Sequence, residues 1–304
     1  MSIKGVRILF LSLFIGFVLI FLTATSISVS AETTLERVDD QEWDYDGCID
    51  DQGMVHVVHS TQEGLVFSDY QGGNTENSRL ISKEDAEQAT MIFTKDGFFL
   101  IAYVVEGDFF NTELRIIRDD GTEVKEIWTL FEGAAYHNPC FSYFGDTLYL
   151  AFEQGGSAEE SVGFSNDIAI MNSEDDGDTW SEPMLLFQSD KNEMTPSLEV
   201  FNDRLYISFL QTQDEEVSHQ GNAWEVEDDA ILISSSEDGL NWAEPYRVTY
   251  DISKTKDPAI TRYRDRLALL WTTNQVESGI MNTENIAVSL FDGYIWSDHI
   301  IIQT

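Results

Sequence analysis

Short apolar runs and polar turns alternate along the chain from about residue 46 to its end. Asp167-Ile-Ala-Ile-Met, Ala230-Ile-Leu-Ile-Ser and Asn285-Ile-Ala-Val-Ser each read as a strand with one face toward a core. Each runs into a similar turn: Ser173-Glu-Asp-Asp-Gly-Asp-Thr-Trp180, Ser235-Ser-Glu-Asp-Gly-Leu-Asn-Trp242 and Ser289-Leu-Phe-Asp-Gly-Tyr-Ile-Trp296. Glycine suits a tight turn that needs positive φ, Asp and Ser bond turn amides, and Trp supplies a large apolar plate, so these residues read as scaffold.

A second marker precedes each unit. Asn138-Pro-Cys-Phe-Ser-Tyr-Phe-Gly-Asp-Thr-Leu-Tyr-Leu-Ala-Phe152 aligns with the stretches from Thr195-Pro and Asp257-Pro, and each predicts a hairpin. Weaker copies begin near Gln88 and Asp46. The turn glycines Gly72, Gly121, Gly177 and Gly239 precede Ala89, Pro139, Pro196 and Pro258 by 17, 18, 19 and 19 residues. So even a spacing marks one repeated supersecondary unit. It predicts an all-β chain with units at 46–84, 88–131, 138–188, 195–249 and 257–303, each of four short strands. Sequential four-stranded sheets of this period describe a β-propeller, with five blades as the first choice over a six-bladed arrangement and a parallel β-helix as the structural competitor.

The N-terminus is set apart. Lys4 and Arg7 precede an apolar run from Ile8 to Leu22, and Val29-Ser-Ala31 places small residues where a signal peptidase cuts, so residues 1–31 read as a signal peptide and 32–304 as one exported domain. The rival reading is an uncleaved anchor; no later stretch is long and apolar enough to span a bilayer.

The 55 acidic residues against 17 basic ones, a net charge of −38, argue against nucleic acid or anionic lipid as partners. Polysaccharide or a cell-surface protein remains. Cys48 and Cys140 occupy the same position of two units, which leaves a disulfide and two free thiols both open. Two cysteines and five histidines without close ligand spacing give no zinc site. No cofactor is required, and the acids leave calcium or another cation as an option.

The Ser-x-Asp-x-Gly-x-Thr-Trp box resembles the Asp-box, or bacterial-neuraminidase repeat, of sialidase-like propellers. Ser173, Asp175, Gly177, Thr179 and Trp180 fit it completely; Ser235, Gly239 and Trp242 fit with Glu237 in the acid's place; Ser289, Gly293 and Trp296 fit with the acid moved to Asp292. The resemblance implies fold much more than function, because such boxes occur in hydrolases, adhesins and scaffolds alike. Sialidases hold the substrate carboxylate with three arginines; none of the nine arginines after residue 31 forms such a set by position, so sialidase activity is not expected.

In a propeller the boxes lie on one face, while the loops between blades and those joining second to third strands lie on the other. That places Tyr45-Asp46, Glu87-Gln88, His137-Asn138, Met194-Thr195 and Lys256-Asp257 at a mouth, with long loops at 153–166, 211–229 and 272–284. Trp224, in the second of these loops, is a stacking candidate for a ligand, with Tyr45, His137 and Glu193 as further contacts. The first functional expectation is therefore an exported glycan- or protein-binding module. The alternative is an extracellular glycoside hydrolase or lyase using paired carboxylates such as Asp46, Glu87 and Asp257, at separations of about 5.5 Å for retention or about 6.5–9.5 Å for inversion.

Overall fold

A computed structural model describes residues 7–8, 45–50, 52–71, 74–106, 112–130, 134–155, 166–187, 189, 191–212, 229–249, 254–277 and 280–302. The chain folds as a five-bladed β-propeller of four-stranded antiparallel sheets, with no helix among the described residues. In every sheet the strand order follows the chain, so each blade is a meander. The first sheet carries an extra two-residue strand, Arg7–Ile8, paired with Cys48 and Gly47. No helix among the described residues is long and apolar enough to cross a membrane.

The blades divide into two compact units, residues 1–106 with 113–130, and residues 107–112 with 131–304. In the first unit the inner strands are Tyr45–Ile49 and Ala86–Phe93. Leu65, Phe67, Met91, Ile101 and Tyr103 fill the space between the two sheets. The buried carboxylate of Asp119, 0 % exposed, ends the third strand of the second sheet and pairs with Arg79 from the outer strand of the first. Asp46 bridges the same two sheets: its Oδ2 accepts Thr90 Oγ1 at 2.6 Å and Met91 N at 2.9 Å, and its Oδ1 accepts Gly47 N at 2.8 Å.

In the second unit the inner strands are Tyr136–Phe144, Asn192–Phe201 and Lys254–Tyr263. Buried Leu, Ile, Phe and aromatic side chains stack between successive sheets, with Phe187 lying flat on Phe209 at 5.1 Å, while Phe291 lies on Trp296 at 5.0 Å within the last blade. This apolar filling supplies the main driving force for the architecture.

The turns explain the Ser-Asp-Gly-Trp signal. Ser173 Oγ donates to Asp175 Oδ1 and accepts Gly177 N, both at 2.8 Å; Asp175 also accepts Thr179 N and Oγ1, while buried Trp180 donates Nε1 to Gly177 O at 3.1 Å. The next copy is displaced from its sequence alignment. Ser236, not Ser235, accepts Gly239 N, and Asp238, not Glu237, accepts Leu240 N and Asn241 N. The turn is one residue shorter, and that shift lets Asn241 Nδ2 replace the threonine hydroxyl on Asp238 Oδ2. In the third copy Asp292 accepts Tyr294 N and Ile295 N, but Ser289 Oγ donates to Ser297 O, as Ser234 does to Ala243 O. Ser289 is thus a clamp on the following chain, and Phe291, bridged to Trp296 as Ser236 is to Trp242, stands at the box-serine step. A degenerate box without any serine ends the third strand of the second blade, where Asp119 accepts Gly121 N and Asp120 accepts Thr122 N and Glu123 N.

Two further expectations change. Residues 272–284 do not form a long loop: Arg266–Glu277 and Ile280–Phe291 continue pairing until Glu277 faces Ile280. β-Branched Thr272 and Thr273 favour that extension. Cys48 and Cys140 are both thiols and do not form a disulfide.

Candidate active site

The inner strands share one local device. In the second to fifth blades the register shifts between Glu87 and Thr90, His137 and Cys140, Met194 and Ser197, and Lys256 and Ala259. At each bulge one residue is left-handed: Gln88 (φ 51°), Asn138 (49°), Thr195 (50°) and Asp257 (48°). Three of them precede proline, where an extended residue is the ordinary outcome. Positive φ is costliest for β-branched Thr195. Bulges of this kind turn side chains out of the ladder and cluster beside functional sites.

In the second unit this device assembles a group of acids. Glu193, two residues before the bulge, is 0 % exposed, and its Oε1 accepts Ser189 Oγ at 2.6 Å and Gln211 Nε2 at 3.0 Å. Its other oxygen, Oε2, and Asp167 Oδ1 are buried without any donor. As two carboxylates they would be acceptors with nothing between them; one proton on the pair removes the conflict and joins them by a hydrogen bond. Burial, with the Asp167 charge added to it, pushes Glu193 up to about 7, and burial also raises Asp167. Asp167 is the second residue of the strand Asn166–Ser173 in the blade before that of Glu193, so the pair forms only when the two sheets meet.

Beside the pair stands Glu153, 1 % exposed, at the end of the strand Thr147–Gly155. It accepts Thr195 N at 2.6 Å, Asn166 Nδ2 at 3.2 Å and Asn138 Nδ2. Burial raises its carboxyl and these three donors oppose the rise. Asn166 N in turn donates to Asn192 Oδ1 at 2.9 Å.

The residues singled out from sequence fall in different places. Asp46 is consumed in the tie between the first two sheets. Glu87 is exposed on its bulge. Asp257 is half-buried at the left-handed step of the fifth blade, with Thr272 Oγ1 at 3.5 Å. His137 pairs opposite Glu153, and burial lowers its pKa. Tyr45 stacks on His59 at 5.5 Å in the first unit; burial and then Tyr70 raise Tyr45, while burial lowers His59. Trp224 lies outside the described residues. Glu193 is in the assembled group, although as a buried acid and not as a surface contact. Sequence reading missed Asp167, Glu153 and Asn166. The signal for Glu153 was present, since it follows the uninterrupted apolar run Leu148–Phe152, where a charge needs partners.

No protein-family model matches the sequence, and no curated protein matches it. Solved structures do match in fold. A thermostable family-43 glycoside hydrolase is 13 % identical, with 83 % of this chain and 89 % of that chain covered and a TM-score of 0.55. An α-L-arabinanase of Penicillium chrysogenum, solved with arabinobiose, is 10 % identical over 79 % and 86 % of the two chains, TM-score 0.56. A family-25 polysaccharide lyase, an ulvan lyase, is 12 % identical over 83 % and 69 %, TM-score 0.59. These structural neighbours are carbohydrate-active propellers, and at such identities the likeness is one of fold.

Proposed function

We propose that the protein is an exported carbohydrate-active enzyme that cleaves a glycosidic bond by hydrolysis, with Glu193 as the general acid. The proton shared between Glu193 and Asp167 carries this reading. Glycoside cleavage needs a carboxylic acid still protonated near neutrality to hand its proton to the leaving oxygen, and a second carboxylate that stays ionised. Asp167 supplies the charge that keeps the proton on Glu193. Because the two groups bond to each other directly, they act as one proton donor and cannot flank a sugar ring between them. Asp257, at the left-handed step of the next blade, is our choice for the carboxylate that activates water.

The carbohydrate-active neighbours support this reading over a pure binding module, the first expectation from sequence. Arabinan heads the substrate panel because one matching structure is an arabinanase. Elimination by a lyase is the second reading: His59, with lowered basicity and a buried Nδ1 that lacks a partner, lies against Tyr45, and such a couple could abstract and return a proton.

Leaving-group dependence provides the test. Glu193→Gln should abolish cleavage of oligosaccharides yet retain much of the cleavage of aryl glycosides whose phenolate departs without a proton. Equal loss on both substrates would remove Glu193 from the acid role. An unsaturated product absorbing in the ultraviolet would select the lyase reading.

A further inference from the structure

Three backbone and side-chain bonds enclose the acid pair without touching its reacting oxygens. Glu153 Oε1 accepts Thr195 N, two residues after Glu193. Glu153 Oε2 accepts Asn166 Nδ2, whose residue directly precedes Asp167. Asn166 N donates to Asn192 Oδ1, whose residue directly precedes Glu193. The loop of contacts is closed: Glu153 to Asn166, Asn166 to Asn192, along the chain to Thr195, and back to Glu153. Both members of the pair are gripped by their immediate chain neighbours.

We propose that Glu153 is a positioning residue, the keystone of a latch that holds Thr195 in its left-handed conformation and thereby aims Glu193 at Asp167. The physical need is plain. A β-branched residue at φ 50° is disfavoured on its own, and Thr195 Oγ1 is buried without a partner, so nothing on its own side chain offsets the strain. A charge-assisted bond from its N–H to a buried carboxylate is the compensation, and such bonds are about twice as strong as neutral ones. Asn138, at the equivalent left-handed step of the preceding blade, also donates to Glu153, so one carboxylate secures two adjacent bulges. The corresponding positions of the other blades, opposite Glu87, Met194 and Lys256, are Val104, Leu210 and Thr272, none of them charged. Gly155 completes the latch: a Cβ there would sit 2.8 Å from Asn166 Oδ1 and push the Asn166 amide from its present position beside Glu153.

The proposal rests on Glu193 being the acid, and its test is arranged to separate the two claims. Gly155→Ala is the primary variant, because it displaces a flexible amide without altering charge. The protonated carboxyl band of Glu193, assigned by difference infrared spectroscopy against Glu193→Gln, is followed with pH in wild type, Gly155→Ala and Glu153→Gln. A loosened latch admits water and relaxes the pair, so the titration midpoint should fall by about one unit in Gly155→Ala and at least as far in Glu153→Gln, which also removes a neighbouring charge. In a cleavage assay kcat should fall with KM unchanged. A Gly155→Ala protein that melts lower but titrates as wild type would reduce Glu153 to ordinary scaffold and overturn the proposal. A shifted midpoint in a protein that cleaves no glycan would uphold the latch and remove the enzymatic reading alone.

Discussion

Ser236 Oγ accepts the amide of Gly239 at 2.8 Å, one residue along from where the repeat alignment places the box serine. Both groups are buried. Ser236→Ala would therefore leave a buried donor unsatisfied and cost about 1–3 kcal/mol, whereas Ser235→Ala, which removes no such bond, should stay within about 0.5 kcal/mol. Urea denaturation of the two variants checks this; equal costs would mean the turn uses the alignment's register.

The Arg79–Asp119 pair offers a larger effect. Asp119 is fully buried, and Arg79 covers it while stacking on Phe67 at 4.7 Å. Arg79→Ala strands a buried charge and should cost about 3–5 kcal/mol. Asp119→Asn in the same chain should recover part of that loss, because a neutral amide is cheaper to bury. A double variant as unstable as the sum of the single ones would show that the two side chains do not couple.

Glu193 makes stability depend on pH in a definite direction. Its folded pKa, about 7, lies above the ordinary carboxyl value near 4.5, so the folded state binds the proton more tightly. The contribution is complete below the unfolded pKa and disappears as pH rises through about 7. Wild type should lose on the order of 1–3 kcal/mol across that window, and Glu193→Gln should show a flatter profile. Melting temperatures measured from pH 4 to 8 at fixed ionic strength would reveal the difference, and parallel curves would contradict it.

The same sign carries into catalysis. In the proposed mechanism activity requires protonated Glu193 and so declines on the alkaline side. Asp167→Asn removes the charge that helps hold the proton, and the alkaline limb of kcat/KM should move to lower pH. A limb that stays in place would mean another group sets it.

Much of the architecture is legible from local pattern. The Pro-containing hairpin starts and the Gly-Trp turns recur at fixed spacing because each encodes a short-range backbone demand, and the blade count follows from them. The turn of residues 173–180 bonds through the serine, aspartate, glycine, threonine and tryptophan picked out from sequence, while the second copy is displaced by one step because Ser234, Ser235 and Ser236 are chemically alike and only the hydrogen bonds tell them apart; in the third, Phe291 stands two residues beyond the aligned Ser289. The acid pair was not legible. Asp167 and Glu193 belong to different sheets, and each looks like any other carboxylate in a chain with 55 of them. Nor does a proline announce that the residue before it will turn left-handed, since its usual effect is the opposite.

The repeated bulge also separates two kinds of heredity in this chain. The left-handed step is a property of the backbone, whereas the residue just ahead of it differs in every blade that carries it: Glu87, His137, Met194 and Lys256. An acid, an imidazole, a thioether and an ammonium occupy the same step ahead of the register shift, one per blade. Single codon changes there can alter the side chain each blade carries while its strands keep the same bulge.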